Sequence, residues 1–170
     1  MNEKTVCHPM WTLSLGDDLG NLVLMPCPGT KGVSALDTFH SLKLESVDMV
    51  ITALSDDEMQ AKALPPFQII ADETNIIWHQ LPIPDDSTPS AQFQTDWALL
   101  EPQVLALLSD KRSVALHCMG GSGRTGLLAA HILVALGWSL AEIVEQVQAL
   151  RPNAFTHPDQ RQYIEAVIQN

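Results

Sequence analysis

The sequence predicts an α/β fold in which a central, mostly parallel sheet carries helices on both faces. Three observations lead there. Short apolar runs, such as 47–54 and 113–116, have the length of buried strands; they alternate with longer stretches of helical periodicity; and a glycine-rich turn joins the last such run directly to an apolar helix. With 170 residues and 46% hydrophobic content, the chain has enough material for one sizeable core. No internal repeat, low-complexity tract or linker marks a second domain, so residues 1–170 are read as a single one.

Each element has its own signal. Residues 12–15 and 21–25 read as short strands around a Gly-Asp-Asp turn, and 34–45 as an amphipathic helix. The run 47–54 is a buried strand. Ser55-Asp56-Asp57-Glu58 opens a helix, with a serine to cap it and acids near its positive end. A further helix crosses 66–73, and Ile76-Ile77-Trp78-His79 is a strand that leads into the proline-rich segment 81–89. Residues 90–109 make a long helix, with a disturbance expected at Pro102 because proline removes a donor and crowds the preceding turn. After the strand 113–116 come helices at 127–136, ended by Gly137, at 139–150, opened by a capping box from Ser139 to Glu142, and at 156–168. Trp11, Trp78, Trp97 and Trp138 read as core anchors.

The strand at 113–116 runs into His117-Cys118-Met119-Gly120-Gly121-Ser122-Gly123-Arg124-Thr125-Gly126, and the helix follows at once. Three glycines and a serine let the chain reverse so that backbone N–H groups converge at a helix N-terminus, a natural site for an oxyanion. Met119, Gly120, Gly121, Ser122, Gly123 and Arg124 would line this cradle. A thiol has a reference pKa of about 8.5, and a helix N-terminus with nearby cations lowers it, so Cys118 is expected to be a thiolate nucleophile. Arg124, six positions on, can present two parallel N–H donors to a phosphoryl group, a geometry lysine lacks. The Thr125 hydroxyl can donate to the Cys118 sulfur, and His117 is expected to order the loop rather than act as a base. The same stretch satisfies a G-x-G-x-x-G search, but no acidic ribose-binding residue follows at the required interval.

The sequence His-Cys-x5-Arg-Thr resembles the signature of the cysteine-dependent protein tyrosine and dual-specificity phosphatases, and the chain is most similar to the kinase-associated type. The resemblance implies a protein tyrosine phosphatase-like fold and hydrolysis of phosphotyrosine, and of phosphoserine or phosphothreonine, through a phosphocysteine. It also implies an aspartic acid on a separate loop. Leu81-Pro82-Ile83-Pro84-Asp85-Asp86-Ser87-Thr88-Pro89 resembles that loop, with Asp85 as general acid and then base, 33 positions before Cys118, and Asp86 as the lesser candidate. Arg151-Pro152-Asn153-Ala154 and Gln160 resemble two further family positions. By that likeness Arg151 braces the cysteine loop and Gln160 positions the hydrolytic water, although a helix cap and a solvated helix face remain the alternatives. No long insertion of the kind that deepens the pocket of classical tyrosine phosphatases is present, so a shallow pocket is expected.

Composition narrows the partners. The net charge of −11 argues against nucleic acid and against an acidic membrane, and residues 119–123 carry none of the lysines that related phosphoinositide phosphatases often place in this loop. A phosphorylated protein, with a kinase as one possibility, is the expected substrate. A small phosphate ester, a nucleotide or a phosphoinositide is the alternative, and a phosphate-binding module without turnover is a third. The histidines and the cysteines at 7, 27 and 118 lack ligand spacing, so no metal or other cofactor is expected. Residues 1–7 contain no apolar leader and the cysteines suit a reducing compartment, which points to the cytoplasm.

Overall fold

A computed structural model describes residues 6–169, so most of the segment read above for a leader lies outside the described residues. Five strands form one sheet in the order β1-β2-β5-β3-β4. They are β1 (Trp11–Leu13), β2 (Leu22–Met25), β3 (Val47–Thr52), β4 (Ile77–Gln80) and β5 (Ser113–His117). Only β1 runs antiparallel; β2, β3, β4 and β5 pair in parallel, as the apolar runs without strict alternation imply. Every residue of β2 and β5 is buried, which identifies these strands as the sandwiched middle of the sheet.

Register decides where chemistry can occur. Met25 and Thr52 both lie beside His117, so three neighbouring strands end abreast. Their carboxyl ends open one crevice, the usual ligand position in an open parallel sheet.

Among the described residues, seven helices cover the sheet: α1 (Ala35–Leu44), α2 (Asp56–Ala61), α3 (Phe67–Thr74), α4 (Ala91–Ser109), α5 (Gly123–Ala135), α6 (Leu140–Leu150) and α7 (Pro158–Gln169). Helices α1 and α3 pack together beside β3 and β4. The other group is centred on α5, which meets β2, β5, α4, α6 and α7. Helix α5 is buried from Arg124 to Leu133 and mostly apolar, with Arg124, Thr125 and His131 as its buried polar residues.

The serine cap expected at Ser55 is present, and Ser34, read from the sequence only as a helix start, is a cap as well. Ser34 and Ser55 each accept a backbone N–H from the first turn, and at α2 the capping box is complete. At α6 the box is half made: Ser139 accepts the Glu142 N–H, but Glu142 receives the Ser139 hydroxyl rather than its backbone N–H. Helix α4 runs through Pro102 without interruption. Pro102 and Ala98, whose carbonyl loses its partner, both face solvent, so water replaces the missing donor. Helix α5 begins at Gly123, four residues before the apolar run, because the Gly126 N–H reaches the Ser122 carbonyl at 2.8 Å and draws the turn into the helix.

Where β3 bulges, Asp48 takes Lys43 at 2.7 Å and a two-pronged grip from Arg112 at 2.7 and 2.8 Å. The Arg112 guanidinium, aided by Lys43, holds its carboxyl down at about 2.

Candidate active site

Strand β5 delivers Cys118 to the crevice, and α5 begins five residues later with its N-terminus aimed back at it. The connecting loop turns at Gly121, whose φ is +81°. A Cβ there would stand 2.5 Å from the Met25 carbonyl carbon and 2.6 Å from the Pro26 nitrogen, so only glycine lets the loop lie this close to the end of β2. The Cys118 sulfur receives the Gly121 N–H at 3.3 Å and the Thr125 hydroxyl at 3.1 Å. The first of these donors comes from the middle of the loop and the second from the first turn of α5.

Arg124 is 3% exposed, a charge that must be matched to be tolerated. Its Nη1 donates to Glu58 at 2.9 and 2.8 Å and to the Ile83 carbonyl at 3.1 Å, while its Nη2 lies 3.5 Å from Asp85. The guanidinium thus joins the cysteine loop to α2 and to the proline-rich loop. Glu58 was read from the sequence only as part of a helix cap. It serves both purposes, since Oε1 also accepts the Ser55 N–H at 3.3 Å. A glutamate in a capping box beside a strand end was the available signal.

Asp85 is 72% exposed, on a loop rather than in the core, and faces the guanidinium. Its Oδ1 accepts the Asp86 N–H at 3.0 Å, which fixes the side chain over its own turn. Asp86 occupies the left-handed region at φ 52° and is exposed. Gln160, buried on α7, donates to the Ser87 carbonyl at 3.0 Å, and its Oε1 lies 3.2 Å from where a Gly123 Cβ would be. It wedges between the acid-bearing loop and the start of α5. Arg151 reaches the loop from the end of α6, donating to the carbonyls of Gly121 at 3.0 Å and Gly120 at 2.9 Å. Met119 is half-buried and packs against the core.

His117 lies fully buried beneath the loop. Its Nδ1 sits 3.0 Å from the Cys118 carbonyl, which can only accept, so Nδ1 carries the proton and Nε2 accepts the Thr52 hydroxyl at 2.6 Å. The Trp78 Nε1–H completes the chain by donating to Thr52 at 2.8 Å. Burial pushes the imidazole down to about 4, so at neutral pH it is uncharged, in keeping with one fixed tautomer. Thr52 and Trp78 escape a reading of sequence because only the pairing of β3 with β4 brings them together. Cys27, hydrogen-bonded through its N–H to the Met119 carbonyl at 3.0 Å, is a buried thiol raised to about 12, chiefly by desolvation.

Comparison with known proteins bears on the fold and the family. Rat cyclin-dependent kinase inhibitor 3 is 29% identical over 102 residues, which are 60% of this chain and 47% of that protein. The chain therefore spans about half the length of the curated relatives of this kind that it matches. An Arabidopsis thaliana protein named phosphatidylinositol 3,4,5-trisphosphate 3-phosphatase and protein-tyrosine-phosphatase PTEN1 is 35% identical over 71 residues, 40% of this chain and 15% of that protein. In three dimensions, the kinase associated phosphatase with its catalytic-site cysteine replaced by serine superposes with a TM-score of 0.82 at 22% identity, covering 96% of each chain. Tk-PTP in its active form gives 0.71 at 21% identity over 94% of this chain and 97% of that one. These structures establish the expected phosphatase fold. The family described as "polymorphic toxin system, DSP-PTPase phosphatase" matches residues 25–138, a span that contains the three abreast strand ends, Glu58, Asp85 and the whole cysteine loop. The chain belongs to that DSP-PTPase phosphatase family.

Proposed function

We propose that this chain is a phosphomonoester hydrolase that removes phosphate from protein phosphotyrosine, and from phosphoserine or phosphothreonine, through a phosphocysteine on Cys118. The observation that carries the reading is the convergence on one sulfur of the Gly121 N–H and the Thr125 hydroxyl, with Arg124 and Asp85 joined beside it. In the first step the Cys118 sulfur attacks phosphorus as the ester oxygen leaves opposite it. The Met119 to Gly123 backbone amides and Arg124 hold the three other oxygens, and the proton of Asp85 passes to the leaving oxygen. In the second step Asp85, now a carboxylate, takes a proton from water while the water oxygen attacks phosphorus. The sulfur departs as thiolate, steadied by Thr125, and inorganic phosphate is released. Gln160, between the two loops, is suited to orient that water.

The charge of the molecule favours a protein substrate. Residues 119–123 supply no lysine, and Asp56, Asp57, Asp85 and Asp86 stand exposed on the two segments that meet Arg124, which disfavours ligands carrying several phosphates. The name of the rat relative makes a phosphorylated kinase one candidate; the name of the Arabidopsis protein keeps a phosphoinositide as the competing one. The buried thiols Cys27 and Cys118 suit a reducing compartment such as the cytoplasm. Turnover of phosphotyrosine, phosphothreonine and phosphoserine peptides, measured beside phosphoinositides and nucleotides, tests the assignment. Faster release from peptides supports it, and preference for the lipid or nucleotide replaces it.

A further inference from the structure

Arg151 and Trp11 form a unit that the reaction scheme above leaves unused. The Arg151 guanidinium lies over the indole of Trp11, 3.9 Å from the ring centre, and its other side donates to the carbonyls of Gly120 and Gly121. In a trans peptide the carbonyl of one residue and the N–H of the next point in opposite directions. The Gly120 carbonyl that Arg151 grips from outside therefore belongs to the same peptide whose inner end, the Gly121 N–H, points at the Cys118 sulfur. The Gly121 carbonyl stands in the same relation to the Ser122 N–H. A cation on the carbonyl end of a peptide also polarises it, which strengthens its N–H as a donor. Trp11 belongs to β1, the antiparallel edge strand, and this arginine links it to the loop.

We propose that Trp11 and Arg151 act together as a positioning pair, the indole holding the guanidinium against two consecutive carbonyls so that the N–H groups of Gly121 and Ser122 face the sulfur and the bound phosphate. Neither residue touches the reacting atoms. The proposal rests on the reading of Cys118 as nucleophile and names what keeps its cradle aimed. It also gives Trp11, expected from the sequence to be a core anchor but half-buried and outside the core cluster, a different duty.

The test uses the full chain and p-nitrophenyl phosphate, with inorganic phosphate as inhibitor. Trp11→Leu keeps apolar bulk and removes the aromatic face; Trp11→Phe restores a face; Arg151→Lys keeps the charge and loses the fork. The charged or titratable groups around the sulfur, His117, Cys27, Arg124, Glu58 and Asp85, are unchanged in all three. Loss of a cation–π contact of ordinary strength predicts that Trp11→Leu lowers kcat/KM about 3- to 10-fold. The acidic limb of its pH profile should move to higher pH and phosphate inhibition should weaken. Trp11→Phe should recover most of each change, and Arg151→Lys should resemble Trp11→Leu. Wild-type pH limb and phosphate inhibition in Arg151→Lys, or equal behaviour of the Leu and Phe variants, overturns the proposal. Thermal unfolding of each variant separates these effects from loss of fold; should Trp11→Leu not fold, the Phe and Lys variants decide alone. Cys118→Ser is the control: turnover surviving in it would sink the nucleophile reading, whereas phosphate affinity across the Trp11 series would still report on the pair.

Discussion

Replacing Thr52 with valine tests the buried chain that fixes the base of the cysteine loop. The two side chains have nearly the same shape, so the change removes a hydroxyl and little else. That hydroxyl now gives its proton to His117 and accepts the one from Trp78, at 2.6 and 2.8 Å. Thr52 and His117 are both 0% exposed, so His117 Nε2 would be left as a buried acceptor without a donor, which costs about 1–3 kcal/mol. Trp78 is half-buried and recovers part of its loss from water, adding at most about 1 kcal/mol. The sum, about 1–4 kcal/mol, corresponds to a fall in Tm of roughly 2–16 °C for a chain of this size. Urea and thermal unfolding at neutral pH measure it directly. Thr52→Ser is the matched control, since it keeps both hydrogen bonds and loses one buried methyl group. If the valine protein is as stable as the serine protein, or within about 0.5 kcal/mol of wild type, the chain does not stabilise the loop as argued.

The other expectations concern the nucleophile, the acid, the buried ion pair and the histidines. Cys118→Ser should retain phosphate binding and lose turnover, so rate and binding measured on the same preparation must separate. Asp85→Ala should slow an aryl phosphate with a good leaving group far less than a phosphoserine peptide; equal losses would shift the acid to Asp86. Glu58→Gln leaves the buried Arg124 charge half-matched and should cost about 1–2 kcal/mol, a figure reduced because Glu58 is partly solvated. Saturating inorganic phosphate should shrink that deficit in a melting experiment, because the ligand takes the place of the missing anion, and an unchanged deficit would argue against the pairing. Burial holds His117 and His131 at about 4 against an ordinary 6.5. Both must gain protons on unfolding below 6.5, so stability present above that pH is lost as pH falls toward 4, by about 3 kcal/mol per histidine at most. Stability that stays level between those limits would show that the imidazoles are not buried neutral.

What could be read from the chain was local. The strand at 113–116, the glycines after it and the apolar helix beyond are adjacent in sequence, and so were their roles. Ser55 and Ser139 declared themselves as caps by position relative to the first turn. Pairings that depend on register did not. Glu58 and Arg124 lie 66 residues apart and meet only because α2 follows the strand that ends beside β5. Thr52, Trp78 and His117 join three strands. Pro102 misled in the other direction: propensity argued for a disturbed helix, but the side of α4 that it occupies is wet. The start of α5 was placed late because Gly123 to Gly126 have poor helical propensity, which hydrogen bonds within the loop override.

The site draws on distant stretches of chain: 25–27 at the end of β2, 52–58, 83–87, 117–125, and finally Arg151 and Gln160. The carbonyls at 120 and 121 and the loop bearing Asp85 are held by Arg151 and Gln160, which lie later in the sequence than the loops they secure. A chain cut before residue 151 would keep the cysteine loop in its sequence and lose both of these holds.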